Sequence, residues 1–215
     1  MTEIEALVEE SHLLHGELWQ VLRGSHNDGT SRGKLATIFL ELASQHALAF
    51  RCLMVDALTH SAIPLLRLQF EATVKGFWVK YAADEEWIRR AGNVELKNGR
   101  PVEPPQVTLP DMLKALQDTA HPLIGVQLSE FKESNLKPLH SFVHSGISAL
   151  STLRCGLPDE FCCDVVRLSN GLAGLGATLL AEMALDEQVR LAVLTVQLNH
   201  LNCMPKVRAA GADPA

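Results

Sequence analysis

The sequence lacks the short motifs that mark common nucleotide-binding and hydrolytic sites. It has no G-x-x-x-x-G-K-[ST] phosphate loop, no G-x-S-x-G turn for a nucleophilic serine and no H-E-x-x-H pair for zinc. GLAGLG, at residues 171–176, falls inside a predicted helix and not after a strand, which is the wrong context for a dinucleotide-binding loop. Any function must therefore come from side chains that the fold brings together.

Clusters of positive charge are also missing. The 19 Lys and Arg are outnumbered by 25 Asp and Glu, which gives a formal net charge of −6. Affinity for a nucleic-acid backbone depends on clustered Lys and Arg. The composition therefore argues against a protein that binds nucleic acid mainly by electrostatics.

Signals for a membrane or for export are absent as well. No run approaches about 18 uninterrupted apolar residues, and the N-terminus is acidic where a signal peptide would be basic. The five cysteines form an odd set without C-x-x-C spacing, which indicates reduced thiols. We therefore expect a cytoplasmic protein that does not contact a membrane.

Hydrophobic periodicity predicts an all-α protein with a helical-bundle core of about six or seven helices. We expect one domain over residues 1–203, an irregular excursion at about 91–109 and a frayed tail at 204–215. The predicted helix near the C-terminus is apolar almost all round, so it should be enclosed by the fold or by a partner. The predicted helices cover about residues 3–22, 34–59, 64–87, 110–118, 138–153, 157–185 and 186–201, and the segment from Asp84 is either a continuation of the third helix or a separate helical turn.

Two polar pairs stand beside apolar helix faces. Arg67 and Glu71 fall along one edge of the stripe of the third predicted helix, where they can pair while partly desolvated. His140 and His144 are four residues apart, so on a single helix they would share a face. We expect the two segments to meet face to face and to form a cleft.

Three interpretations of this cluster stay open. Glu71, His140 and His144 could supply three ligands to a single metal ion. Alternatively, the histidines could move protons while Arg67 holds a phosphate and Glu71 orients a histidine. A binding or structural network predicts side chains paired with one another in a closed interior, whereas an enzyme predicts a solvent-open cavity that both histidines line.

Two segments resemble a group of uncharacterised bacterial all-helical proteins. Residues 47–79 contain an R-x-x-x-E-A helix that continues into a glycine and a tryptophan, and residues 139–147 contain H-x-x-x-H-x-G. The group is similar to the HEPN-like (higher eukaryotes and prokaryotes nucleotide-binding) bundles of bacterial defence and toxin–antitoxin systems. The residues that carry the resemblance are Arg67, Glu71, Ala72, Gly76 and Trp78 in the first segment and His140, His144 and Gly146 in the second.

The resemblance implies a homodimeric bundle with RNA, a nucleotide or a protein as candidate partner. RNases of that superfamily carry an arginine followed four to six residues later by histidine, and neither Arg51 nor Arg67 has such a histidine. We therefore expect a binding or regulatory module around the Arg67, Glu71, His140 and His144 cleft. The alternatives are an RNase or phosphotransfer enzyme of toxin–antitoxin or defence type and a mononuclear metal-binding protein.

Overall fold

The computed structural model describes residues 2–25, 28–93, 96–97, 100–101, 104–119 and 121–206. The all-α prediction is confirmed, although the described residues form nine α-helices instead of six or seven. The elements are α1 (Glu3–Leu22), α2 (Ser31–Val55), α3 (Thr59–Tyr81), α4 (Glu85–Gly92), β1 (Leu96–Lys97), β2 (Arg100–Pro101), α5 (Leu109–Gln117), α6 (Pro122–Val143), α7 (Ile147–Cys155), α8 (Asp159–Met183), α9 (Glu187–Asn199) and a 3-10 helix (Leu201–Cys203).

The most extensive contact in the bundle joins α2 and α3, which form an antiparallel hairpin. Near the start of α2, Arg32 Nη1 donates to the Val79 carbonyl oxygen near the end of α3, at 2.7 Å. The chain reverses at Ala57, whose φ is 56°. By length and apolar composition α2 could cross a membrane, and it is the one such helix among the described residues; 33% of its most apolar window is buried.

The third helix begins earlier than the sequence predicts. It starts at Thr59, so Pro64 lies in the second turn instead of opening the helix. Proline has no N–H to donate, so the His60 carbonyl oxygen loses one intrahelical hydrogen bond. The full burial of Ile63 and Leu66 on the same helix offsets this loss.

The third helix ends at Tyr81, and the segment from Asp84 is a separate helix, which is one of the two possibilities left open by the sequence. The Asp84 side chain accepts a hydrogen bond from the Trp87 backbone N–H at 2.7 Å and begins α4 as a separate helix. The Trp87 indole N–H then donates to the Pro105 carbonyl oxygen at 3.0 Å. This bond ties part of the excursion to the bundle, and β1 and β2 pair antiparallel within it.

The core lies around α3 and α8. Helix α3 packs against α2, α5, α6 and α8, while α8 packs against α1, α2, α3 and α9. The apolar stripe predicted for α3 is buried, apart from the partly buried Tyr81 at its end. Its buried members are Ile63, Leu66, Phe70, Val74 and Phe77.

The fold encloses only one side of α9. Val193 and Val196 are buried, whereas Leu191, Leu194 and Leu198 are 52–55% exposed. Beyond the 3-10 helix, Met204 packs against the core, whereas a frayed tail was predicted from residue 204 onward. Residues 207–215 of that tail lie outside the described part of the chain.

Candidate functional site

Arg67 and Glu71 pair along the edge of α3. Arg67 Nε donates to Glu71 Oε1 at 2.8 Å, and the two side chains are 23% and 33% exposed. Both groups are four residues apart on one helix, and the helix holds them beside the buried stripe. This bond fixes the direction of the guanidinium and leaves its two terminal nitrogens for other partners.

One of those nitrogens contacts the second predicted segment. Arg67 Nη1 donates to His140 Nδ1 at 2.6 Å, so α3 and the last turn of α6 meet as the sequence analysis expected. Because a guanidinium can only donate, Nδ1 of His140 must carry the lone pair and Nε2 the proton. The contact therefore selects the tautomer of His140 that has an N–H on the side away from Arg67.

His140 and His144 are not on one continuous helix, contrary to prediction. Helix α6 passes through Pro138, which is exposed, and ends at Val143. His144 caps this end, with its N–H donating to the His140 carbonyl oxygen at 3.1 Å. The two imidazole rings still meet, with their centroids 4.3 Å apart.

The turn after His144 explains the glycine of the H-x-x-x-H-x-G segment. Ser145 has φ of 51°, which ends α6, and the Gly146 N–H donates to the Ser141 carbonyl oxygen at 2.7 Å. Ser141 Oγ accepts from the Ser148 N–H at 3.0 Å and so secures the start of α7. A Cβ at position 146 would lie 2.7 Å from Ser141 Oγ, so glycine permits the turn that places His144 beside His140.

The cluster lies at the surface. His140 and His144 are exposed, and Arg67 and Glu71 are partly exposed. The side chains pair with one another, as the binding network predicts. The expectation that they lie in a closed interior is wrong. Across the described residues, no group of three or more His, Cys, Asp or Glu side chains is arranged to hold a metal ion, so the structure does not favour the alternative in which Glu71, His140 and His144 bind a metal.

Comparison with known proteins gives a family. Residues 40–206 match the model of a family described as "Family of unknown function (DUF6988)". The chain belongs to this family. The comparisons with curated proteins and with solved structures found no match.

The DUF6988 match spans both segments of the cluster and most of the bundle. It confirms the expectation that the chain belongs to a family without an assigned function. The HEPN-like relationship and the meaning of the two short motifs stay predictions.

This DUF6988 chain contains a buried polar network that was not predicted from the sequence. Asn170 Nδ2 on α8 donates to Ser11 Oγ at 2.7 Å and to the Cys203 carbonyl oxygen at 2.8 Å. His15 Nε2 lies 3.2 Å from Asn170 Oδ1. The network joins α1, α8 and the 3-10 helix, and Ser11 and Asn170 are fully buried.

A second buried pair joins the two central helices. Gln69 Nε2 donates to the Ser169 carbonyl oxygen at 2.8 Å, and Ser169 Oγ donates to Gln69 Oε1 at 2.7 Å. The available signal was a polar residue at helical spacing from buried apolar ones, because Gln69 lies three residues after Leu66. That spacing shows burial, but it does not show which residue is the partner.

Proposed function

We propose that this chain is a cytoplasmic, homodimeric binding or regulatory protein of HEPN-like type, and that the cluster of Arg67, Glu71, His140 and His144 binds the phosphate of a nucleotide. The observation that carries the proposal is the hydrogen bond from Arg67 to His140 Nδ1. This hydrogen bond leaves two N–H donors at the protein surface, Nη2 of Arg67 and Nε2 of His140.

The donors of the cluster fit a phosphate group. Glu71 occupies Nε of Arg67 and His140 occupies Nη1, while Nη2 has no partner among the described residues. The proton on His140 Nε2 is a second donor, and the exposed His144 ring lies beside it. A guanidinium and an imidazole N–H are suitable partners for phosphate oxygens.

A nucleotide fits the charge of the chain better than a long nucleic acid does. The formal net charge is −6, and the cluster contains one arginine opposed by one carboxylate. Polymeric nucleic acid needs many phosphate contacts to bind tightly. One phosphate group needs only a few directed donors, which is what the cluster offers.

Calorimetric titration with AMP, ADP and ATP tests this proposal. Arg67→Met should weaken binding by at least about tenfold, because a hydrogen bond to a charged group contributes about 1.5–3 kcal/mol. The matched control is Arg90→Met, which removes the same charge from a 49% exposed side chain paired with Glu86 on α4. Arg90→Met should leave nucleotide affinity unchanged.

A purely structural role gives a different result. In that case Arg67→Met would lower the melting temperature, and the wild-type protein would show no saturable heat with any of the three nucleotides. Glu71→Gln provides a second check, because it keeps the shape of the side chain but weakens its hold on Arg67 Nε. It should reduce nucleotide affinity less than Arg67→Met does.

The imidazole pair favours one second candidate, an RNase or phosphotransfer enzyme. Two exposed rings with centroids 4.3 Å apart could act as acid and base at one phosphate. Incubation with labelled single-stranded RNA, followed by a denaturing gel, separates the two functions. Cleavage that disappears in both His140→Ala and His144→Ala would favour the enzyme, and intact RNA would reject this candidate.

We propose that a second copy covers the open face of α9. Leu191, Leu194 and Leu198 are more than half exposed and follow one another at steps of three and four, the spacing of a helix–helix seam. Leu194→Glu combined with Leu198→Glu should convert the dimer to a monomer in analytical ultracentrifugation. Leu123→Glu, at a 75% exposed position on α6, is the control and should leave the mass unchanged.

The same proposal assigns α2 to the bundle and not to a membrane. Although α2 is long and apolar enough to cross a membrane, it packs along α3 and contributes the fully buried Phe50. It also contains Arg51, which is costly to place at the centre of a bilayer. The protein should therefore stay in the supernatant when it is spun with liposomes.

A further inference from the structure

Arg51 is a buried cation that has no carboxylate partner in the part of the chain that the structure describes. Its side chain, on α2, is 4% exposed, and its Nε and Nη1 atoms have no hydrogen-bond acceptor among the described residues. A buried charge is costly unless it is paired and hydrogen-bonded. Arg167, which is 9% exposed, also has a buried Nε without an acceptor among the described residues, but its charge is paired: Glu3 lies 3.3 Å from its Nη2 and Asp164 3.6 Å from its Nη1.

No carboxylate among the described residues compensates the charge of Arg51. Burial lowers the pKa of its guanidinium to about 10, and no Asp or Glu opposes that shift. The group nevertheless stays charged at neutral pH. Water could accept its N–H bonds but could not balance its charge.

His15 on α1 is close enough to Arg51 to be affected by it. The pKa of His15 is lowered to about 3, first by burial and second by the charge of Arg51. His15 is therefore neutral near pH 7. Arg51 therefore brings a positive charge to the position where α1, α2 and α8 meet, and no carboxylate of the described residues acts on it.

The buried network fixes the state of this imidazole. The Cys203 carbonyl oxygen can only accept, so Asn170 must present Nδ2 to it and Oδ1 to His15. His15 therefore carries its proton on Nε2, and its Nδ1 is an acceptor.

We propose that the position beside Arg51, where α1, α2 and α8 meet, is an internal site for one small oxyanion, a phosphate or the carboxylate of a small molecule. The near-complete burial of Arg51 excludes a polymer as ligand. A compact oxyanion would supply both the missing acceptors and the missing negative charge. This site is separate from the surface cluster of Arg67, and the inference does not rest on the nucleotide proposal.

The test measures melting temperature in phosphate, in acetate and in chloride at equal ionic strength. It uses Arg67→Met protein, so that the surface cluster does not contribute. Phosphate or acetate should give a saturable rise of about 3–6 °C at ten times its dissociation constant, and chloride should not. The anion that saturates at the lower concentration identifies the class of ligand.

Two further substitutions assign the response to Arg51. Arg51→Met, added to Arg67→Met, should abolish the rise, and in chloride it should melt no lower than its parent because an unpaired buried charge is gone. Arg167→Met is the control: it removes a buried arginine that has carboxylate partners and should keep the full anion response. If Arg51→Met does not fold, Arg51→Lys should bind at least tenfold more weakly, and saturable broadening of the ³¹P signal of phosphate provides the direct measurement.

Two results would overturn the inference. An undiminished anion response in the Arg51 variants would place the ion elsewhere. The absence of any saturable response to phosphate and acetate would show that solvent alone satisfies Arg51. Neither result bears on nucleotide binding at Arg67, because that site is tested with nucleotides and with wild-type Arg51.

Discussion

Replacing His15 with glutamine should remove a pH dependence of folding stability. Glutamine keeps an N–H that can reach Asn170 Oδ1, but it does not titrate. The pKa of His15 is lowered to about 3, mainly by burial and next by Arg51, from 6.5 in the unfolded chain. Below about pH 6.5 the unfolded state therefore binds more protons than the native state, and stability falls as the pH falls.

The expected magnitude follows from that difference in pKa. Well above pH 6.5, His15 is neutral in both the folded and the unfolded chain. Its protonation therefore does not reduce the free energy of unfolding there. One pH unit lower, at about pH 5.5, the penalty is about 1.4 kcal/mol, and it keeps growing toward pH 3. For a chain of this length, 1.4 kcal/mol corresponds to about 3–6 °C in melting temperature.

Urea unfolding at about pH 5.5 and 7.5 measures the effect. The loss of stability between the two pH values should be about 1.4 kcal/mol smaller in His15→Gln than in the wild type. His12→Gln, at an exposed position on the same helix, is the control and should keep the wild-type loss. Equal losses in His15→Gln and wild type would refute the conclusion that His15 is held neutral.

Two further predictions concern packing and the buried network. Gly125→Ala should cost about 1–3 kcal/mol, because its Cβ would lie 2.7 Å from the Gln117 backbone nitrogen, whereas Gly16→Ala, with nothing within 4 Å, should gain up to about 1 kcal/mol in urea unfolding. Asn170→Leu should cost at least about 2 kcal/mol, because it leaves buried Ser11 and the Cys203 carbonyl oxygen without their donor. A neutral result for Gly125→Ala or Asn170→Leu would show that the bundle rearranges easily at that position.

The sequence predicted elements whose apolar periodicity is strong. The bounds of α1 and the buried stripe of α3 are as expected, because a 3.6-residue repeat is expressed directly in the order of residues. The contact between Arg67 and His140 was also expected, since polar residues beside apolar faces must find partners where the faces meet. The bounds of α1 and the stripe of α3 depend on local pattern alone, whereas the contact joins segments that are far apart in the sequence.

Predictions of helix ends that depend on tertiary packing failed. Pro64 and Pro138 were taken as helix starts, yet each lies inside a helix whose packing offsets one missing hydrogen bond. The break after His144 depends on a positive φ at Ser145, and a serine in the sequence does not predict a positive φ. The pairing of Arg67 was predicted because Glu71 follows it by four residues, but nothing in the sequence around Arg51 indicates that the fold buries its Nε and Nη1 without an acceptor among the described residues.

The most direct test of the proposed function observes the imidazole nitrogens of His140 and His144 by ¹⁵N NMR during titration with ADP. In the free protein, His140 should carry its proton on Nε2 and accept at Nδ1, as its contact with Arg67 requires. ADP should shift the signals of both rings saturably, and Arg67→Met should abolish the shift. Signals that stay unchanged at saturating ADP, or a His140 ring protonated on Nδ1 in the free protein, would contradict the account.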